Sequence, residues 1–115
     1  MPQQESILTM LAQLAIQLDR QSVVELVELF FDNTSTTLAK ITTAASKGDL
    51  VLLSQEAHAL KSSSANLGAV GLSNVCQRLE RSQQLNLSTD ALINEAKQEF
   101  ADATTIMKNW LAGAH

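Results

Sequence analysis

Apolar residues recur along this chain at intervals of three and four, the spacing that lines side chains along one face of an α-helix. Ile7, Leu8, Leu11, Leu14, Ala15 and Leu18 predict a short amphipathic helix over about residues 4–18. Val24, Val27, Phe31, Thr34, Leu38, Ile41 and Ala45 carry the same period through a long helix at about 22–46. Lys47-Gly48-Asp49 then reads as a boundary: a lysine in a last turn, a glycine suited to the left-handed conformation, and an aspartate to cap the next helix. That helix, at about 50–67, puts Leu53, Ala57, Leu60, Ser64 and Leu67 on its apolar stripe. Gly68 and Gly71 bracket a break. After it, Leu72, Val75, Cys76 and Leu79 open a helix expected to run over about 71–85. Asn86-Leu87-Ser88 reads as a turn whose serine caps a last helix at about 89–111, striped by Leu92, Ala96, Phe100, Ala103, Met107 and Trp110. The single proline, Pro2, is expected outside every helix. Four long helices joined by short turns predict an all-α protein, an antiparallel up-and-down four-helix bundle with the short N-terminal helix across one end.

Composition narrows what such a bundle can do. A chain of 115 residues makes one domain, residues 1–115, with no room for a separate ATP-binding module. Twelve acidic against eight basic side chains give a net charge of −4, which argues against nucleic acid as the partner. A local basic patch from Lys61, Arg78 and Arg81 remains compatible with that total. One cysteine makes no internal disulfide, and Cys76 falls in an apolar series, so it is expected buried and inert. No stretch approaches the roughly 18 apolar residues of a membrane span, and no basic leader precedes an apolar run. A cytoplasmic protein is therefore expected. There is no Gly-rich phosphate loop, no H-x-x-x-H pair and no paired acidic cluster, so no metal or cofactor of its own is expected.

His58 is the residue with chemical potential. It lies roughly 140° around its helix from the apolar stripe, among Ser54, Gln55, Lys61, Ser62 and Ala65, so the imidazole is expected in water on a surface of short side chains. A neutral imidazole, with an ordinary pKa of about 6.5, has a lone pair to offer near neutral pH. Short neighbours leave an open approach for a large partner, and Lys61 one turn on supplies a cation for an incoming anion. Position and neighbours suit phosphate. Taken alone, a solitary exposed histidine is ordinarily no more than a polar surface residue.

The surrounding pattern adds to this. His58-Ala-Leu-Lys61-Ser-Ser-Ser64-Ala-Asn66-Leu67-Gly68-Ala69, followed by Leu72, Cys76, Leu79 and Glu80, resembles the phosphoacceptor motif of histidine-containing phosphotransfer (HPt) domains. The resemblance implies a phosphorelay intermediate in which His58 accepts a phosphoryl group from the aspartyl phosphate of one receiver domain and gives it to another. The implied partners are the receiver domains of a hybrid sensor kinase and of a response regulator, with Mg²⁺ supplied by the receiver and this chain acting as a monomer without kinase or phosphatase activity. It further implies that Lys61 attracts the phosphoryl oxygens. The residue at Glu80 is implied to hydrogen-bond the ring nitrogen that is not phosphorylated; its bland alternative is a solvated helix carboxylate. Ser54, Gln55, Ser62, Ala65, Arg78 and Arg81 are expected on the partner surface. Ser62 departs from the family's commonest form, which has glycine there, and so takes up some of the space beside the ring. A different class of function, a helical adaptor that binds a signalling partner without carrying phosphate, would keep the stripes but make no demand on His58. A sensor-kinase dimerisation region is disfavoured, because that family follows its histidine with an acidic residue and then a proline, and this chain has Ala59 and no proline beyond residue 2.

Overall fold

The fold, a computed structural model, describes residues 2–113. It is all-helical, with no strand among the described residues: α1 Pro2–Gln17, α2 Arg20–Lys47, α3 Leu50–Asn66, α4 Val70–Glu80, the single turn α5 Ser82–Leu85, and α6 Thr89–Leu111. The terminal Ala114 and His115 lie outside the described residues. No helix among the described residues is long and apolar enough to cross a membrane.

Local chemistry sets the ends. Asp19 accepts from the Ser22 amide at 2.7 Å and starts α2 two residues earlier than the periodicity suggests. Gly48 takes φ 71 and its amide bonds the last carbonyls of α2, then Asp49 accepts from the Leu52 amide to begin α3. Ser88 does the same for α6 through the Ala91 amide. Pro2 differs from expectation: it occupies the first position of α1, where a helix needs no amide hydrogen and the fixed proline φ suits it. The helix expected over 71–85 is also corrected. It breaks at Arg81, and Ser82, 3% exposed, turns its hydroxyl onto the Leu79 carbonyl while Asn86 ends α5 in the left-handed region at φ 54.

Helix α3 packs on α2 and α4, and α6 packs on α2, α4 and α1. The core between them holds Val23, Val27, Ile41, Leu53, Leu60, Leu72, Leu79, Ala103 and Met107, all at most 2% exposed. Every residue assigned to the α3 stripe is buried, and so are the four of α4. In α2 the buried line is Val23, Val27, Phe30, Thr34, Leu38, Ile41 and Ala44, one residue round from the expected Val24, Phe31 and Ala45, which sit at its margin. Phe30 wins over Phe31 because it meets Phe100 edge-on, ring centroids 6.1 Å apart. Cys76 is buried, and burial pushes its thiol up to about 12. Trp110 is buried at the end of α6 with the Arg20 guanidinium 5.7 Å over its ring.

Helix α1 is tied down by a side chain the hydropathy pattern ignores. Gln3, 3% exposed, accepts from the Leu72 amide at 3.0 Å and donates to the Glu99 carboxylate and carbonyl at 2.9 and 3.2 Å. It thus caps α4, whose own preceding residue Ala69 offers no side-chain cap, and clamps α1 to α6. Gly68 lets the α3–α4 turn approach the backbone of Ser6.

Candidate functional site

Halfway along α3, the His58 side chain stands 62% exposed on the face opposite the core. The helix positions it rigidly, because Ala57 and Leu60 on either side are fully buried. Its Nδ1 lies 3.0 Å from Oε2 of Glu80, and Lys61 Nζ donates to Oε1 of the same carboxylate at 2.8 Å. Glu80 comes from the last residue of α4, and its side chain is 23% exposed, that of Lys61 30%. The hydrogen bond from Lys61, and secondarily that from His58, hold the Glu80 carboxyl below the usual range, so it is an anion near neutral pH.

An ionised carboxylate can only accept, so the ring nitrogen facing it must carry the hydrogen. In the neutral imidazole the lone pair then sits on Nε2, which makes no hydrogen bond to any described residue. The result is an exposed imidazole whose tautomer is assigned by its Nδ1 edge, with a lone pair left on Nε2.

Two serines hold α3 and α4 together around this point. Ser54 donates to the Glu80 carbonyl at 3.3 Å, and Ser73 donates to the Lys61 carbonyl at 3.1 Å. Ser54 therefore faces the interhelical seam more than the open surface. Ser62 is exposed and turns its hydroxyl back to the His58 carbonyl at 3.4 Å, as serines inside helices commonly do. Gln55 and Ala65 are exposed on the same helix. Arg78 pairs with Glu95 on α6. Arg81 is exposed where α4 ends. Of the three cations Lys61, Arg78 and Arg81, the first two are engaged by carboxylates. Among the described residues no group of three potential ligands could hold a metal ion.

One feature escaped the sequence reasoning. Around α3, Lys61 lies about 60° to one side of His58 and Asn66 about 80° to the other. On that second flank Leu14, Leu26, Leu29 and Phe30 form, with Ser63 and Asn66, an apolar groove of about 370 Å³. Leu26 and Leu29 are 38% and 55% exposed. Their signal was present as two leucines three apart on the otherwise polar side of α2. A second groove of about 300 Å³ runs past Glu80, between the start of α3 and the α4–α5 break.

Comparison with known proteins agrees with the motif. The family model for the Hpt domain matches residues 25–108. No curated protein matches the chain. Among solved structures, the chain is similar to histidine-containing phosphotransfer protein B (HptB) from Pseudomonas aeruginosa PAO1, at 28% identity over 93% of this chain and 94% of that one, with a TM-score of 0.84.

Proposed function

The chain belongs to the Hpt domain family, which carries a role in phosphorelay histidine phosphotransfer, and from that premise we propose that His58 is its phosphoacceptor. The Nε2 lone pair attacks the phosphorus of an aspartyl phosphate on the receiver domain of a hybrid sensor kinase. The N–P bond forms as the P–O bond to aspartate breaks, and the aspartate leaves as carboxylate. The ring gains positive charge, which the anion of Glu80 at Nδ1 offsets. In the second half a carboxylate on a response-regulator receiver attacks the same phosphorus, and the N–P electron pair returns to Nε2. The receiver supplies Mg²⁺ in each half, Lys61 adds the cation nearest the ring, and the chain has no kinase or phosphatase activity of its own.

The single observation that carries this reading is the division of labour on the imidazole: Nδ1 engaged by Glu80 at 3.0 Å, and Nε2 without a hydrogen-bond partner among the described residues on a side chain 62% exposed. The apolar groove on one flank of α3 and the exposed Gln55, Ser62 and Ala65 give a receiver domain a surface to press against. Ser62, with its hydroxyl turned to its own helix, leaves the space in front of the ring open. The reading takes α2, α3, α4 with α5, and α6 as an antiparallel four-helix bundle with α1 across one end, a view supported by the closed ring of contacts α2–α3–α4–α6–α2. It also takes the protein as a cytoplasmic monomer.

The test is His58→Gln, which keeps a polar side chain on an exposed helix position and removes the nucleophile. Incubated with a phosphorylated receiver, the wild type is expected to take up acid-labile phosphate and the variant none, with identical helical circular dichroism. Uptake by the variant at the wild-type rate, or no uptake by the wild type from any receiver of the same cell, would leave the adaptor function in its place.

A further inference from the structure

Val51 is 69% exposed in the first turn of α3. A β-branched residue is a mediocre helix former, and an exposed one adds little to the core, so folding gives no reason for a valine here. Seven residues separate it from His58, which puts it about 20° round the helix from the imidazole and about 10 Å along the axis. Val51 also lines the groove of about 300 Å³ between the start of α3 and the α4–α5 break. Leu53 and Leu79, 1% and 0% exposed, line it with the exposed Gln83 and Gln84 of α5. Glu80 is the one charged residue of the lining, and both its carboxylate oxygens are engaged, by Lys61 and by His58. The groove thus offers apolar surface and amide groups, with no unpaired charge among its lining residues.

Ser54, Gln55 and Glu80 belong both to this groove and to the surroundings of the imidazole, so the two surfaces are continuous. A protein partner of ordinary size covers about 800 Å² of the surface it docks on, a disc of about 16 Å radius, and a transient one of about 600 Å² still reaches about 14 Å. A receiver centred on the imidazole therefore extends over Val51 and onto the groove. We propose that the receiver docked on His58 seats an uncharged apolar side chain in this groove, with Val51 and the α5 glutamines as its contacts. The inference deepens the phosphoacceptor reading and rests on it for the receiver's place at His58. A charged side chain is disfavoured there, because it would lose its water and find no unpaired counter-charge in the lining.

The experiment measures binding of purified receiver domains from the same cell, by titration calorimetry and by amide spectra of the ¹⁵N-labelled chain, apart from any phosphoryl transfer. The amide signals of Val51, Gln83 and Gln84 are expected to shift as receiver is added. Val51→Gln, which suits an exposed helix position and removes the apolar surface, is expected to bind about tenfold more weakly, the effect of one valine left in water. Val51→Ile is expected to bind as the wild type does. Ile16→Gln is the control, since Ile16 is 85% exposed and lies about 200° round α1 from Leu14 of the other groove; it is expected to leave the affinity unchanged. Wild-type affinity in Val51→Gln, equal weakening by Ile16→Gln, unmoved α5 signals, or no binding by any receiver overturns the proposal. So does an effect of Val51→Gln confined to self-association, read by light scattering, which would give the groove to a second copy of the chain. Binding with all the expected features but no phosphoryl uptake by the wild type would sink the phosphoacceptor reading alone, so the two failures are told apart.

Discussion

Two glycines in nearly the same backbone conformation offer a controlled test of how α1 is seated. Gly48 has φ 71 and Gly68 has φ 77, so alanine at either pays the left-handed penalty of about 1–2 kcal/mol. Their surroundings differ completely. A Cβ added at Gly48 meets nothing within 4 Å, whereas one added at Gly68 lies 2.5 Å from the Ser6 carbonyl oxygen and 2.7 Å from its carbon. Those atoms are backbone, in the middle of a helix turn, and no rotamer change can move them aside. Either α1 shifts as a body, or the α3–α4 turn does. Overpacking of this kind costs about 1–3 kcal/mol. Complete release of α1 would cost more, because it exposes Ile7 and Leu11, each 0% exposed and worth about 1.5–3 kcal/mol. Gly48→Ala is therefore expected to lose about 1–2 kcal/mol and Gly68→Ala about 2–5 kcal/mol. Urea melts followed by circular dichroism measure both, with a slope of about 1–3 kcal/mol/M for a small domain. Equal midpoints for the two alanine variants would refute the close approach of Ser6 and with it the seating of α1 against the turn.

Ser64 is 0% exposed and its hydroxyl has no hydrogen-bond partner, so Ser64→Ala is expected to stabilise the fold by about 1 kcal/mol from relief of desolvation and better helix propensity; a lower urea midpoint would contradict this. Glu80 has a depressed folded-state pKa, so its pairing contributes stability that is present above the ordinary value of 4.5 and is lost as pH falls through the depressed one. Glu80→Gln is accordingly expected to be less stable than wild type at neutral pH and to lose stability less steeply on acidification below about pH 4.5. Parallel stability-versus-pH curves for the two proteins would show that the carboxylate gains nothing from Lys61 and His58.

How far the sequence reaches is clearest in α2 and α4. The period of the apolar positions found α2, but its stripe carries neighbouring pairs, Val23-Val24, Phe30-Phe31 and Ala44-Ala45, in which either member satisfies the pattern. Only the opposing helix decides between them, and Phe100 selects Phe30. In α4 the period runs past Arg81 because Ser82, three residues after Leu79, keeps near it, while the break depends on a buried serine hydroxyl that prefers the Leu79 carbonyl to solvent. Gln3 was invisible for a related reason: a glutamine in a first turn reads as surface, and its burial arises from an uncapped α4 whose Leu72 amide is 69 residues away in sequence.

The site divides along the same line between geometry within a helix and geometry between helices. The exposure of His58 and the adjacency of Lys61 follow from 100° per residue within α3, and both hold. What Lys61 touches depends on the rotation and spacing of α4 against α3, which no single period encodes. Small side chains on that seam are the physical reason the two helices come close enough: Ser54 and Ser73 reach the partner backbone with one hydroxyl each, and their short stems let the Glu80 carboxylate span to both the ring and the ammonium. A larger residue at either serine would hold the helices apart and leave the histidine as the solitary surface imidazole that its local sequence alone describes. Orientation of the imidazole is thus a property of the α3–α4 interface, with α3 by itself fixing no more than its exposure.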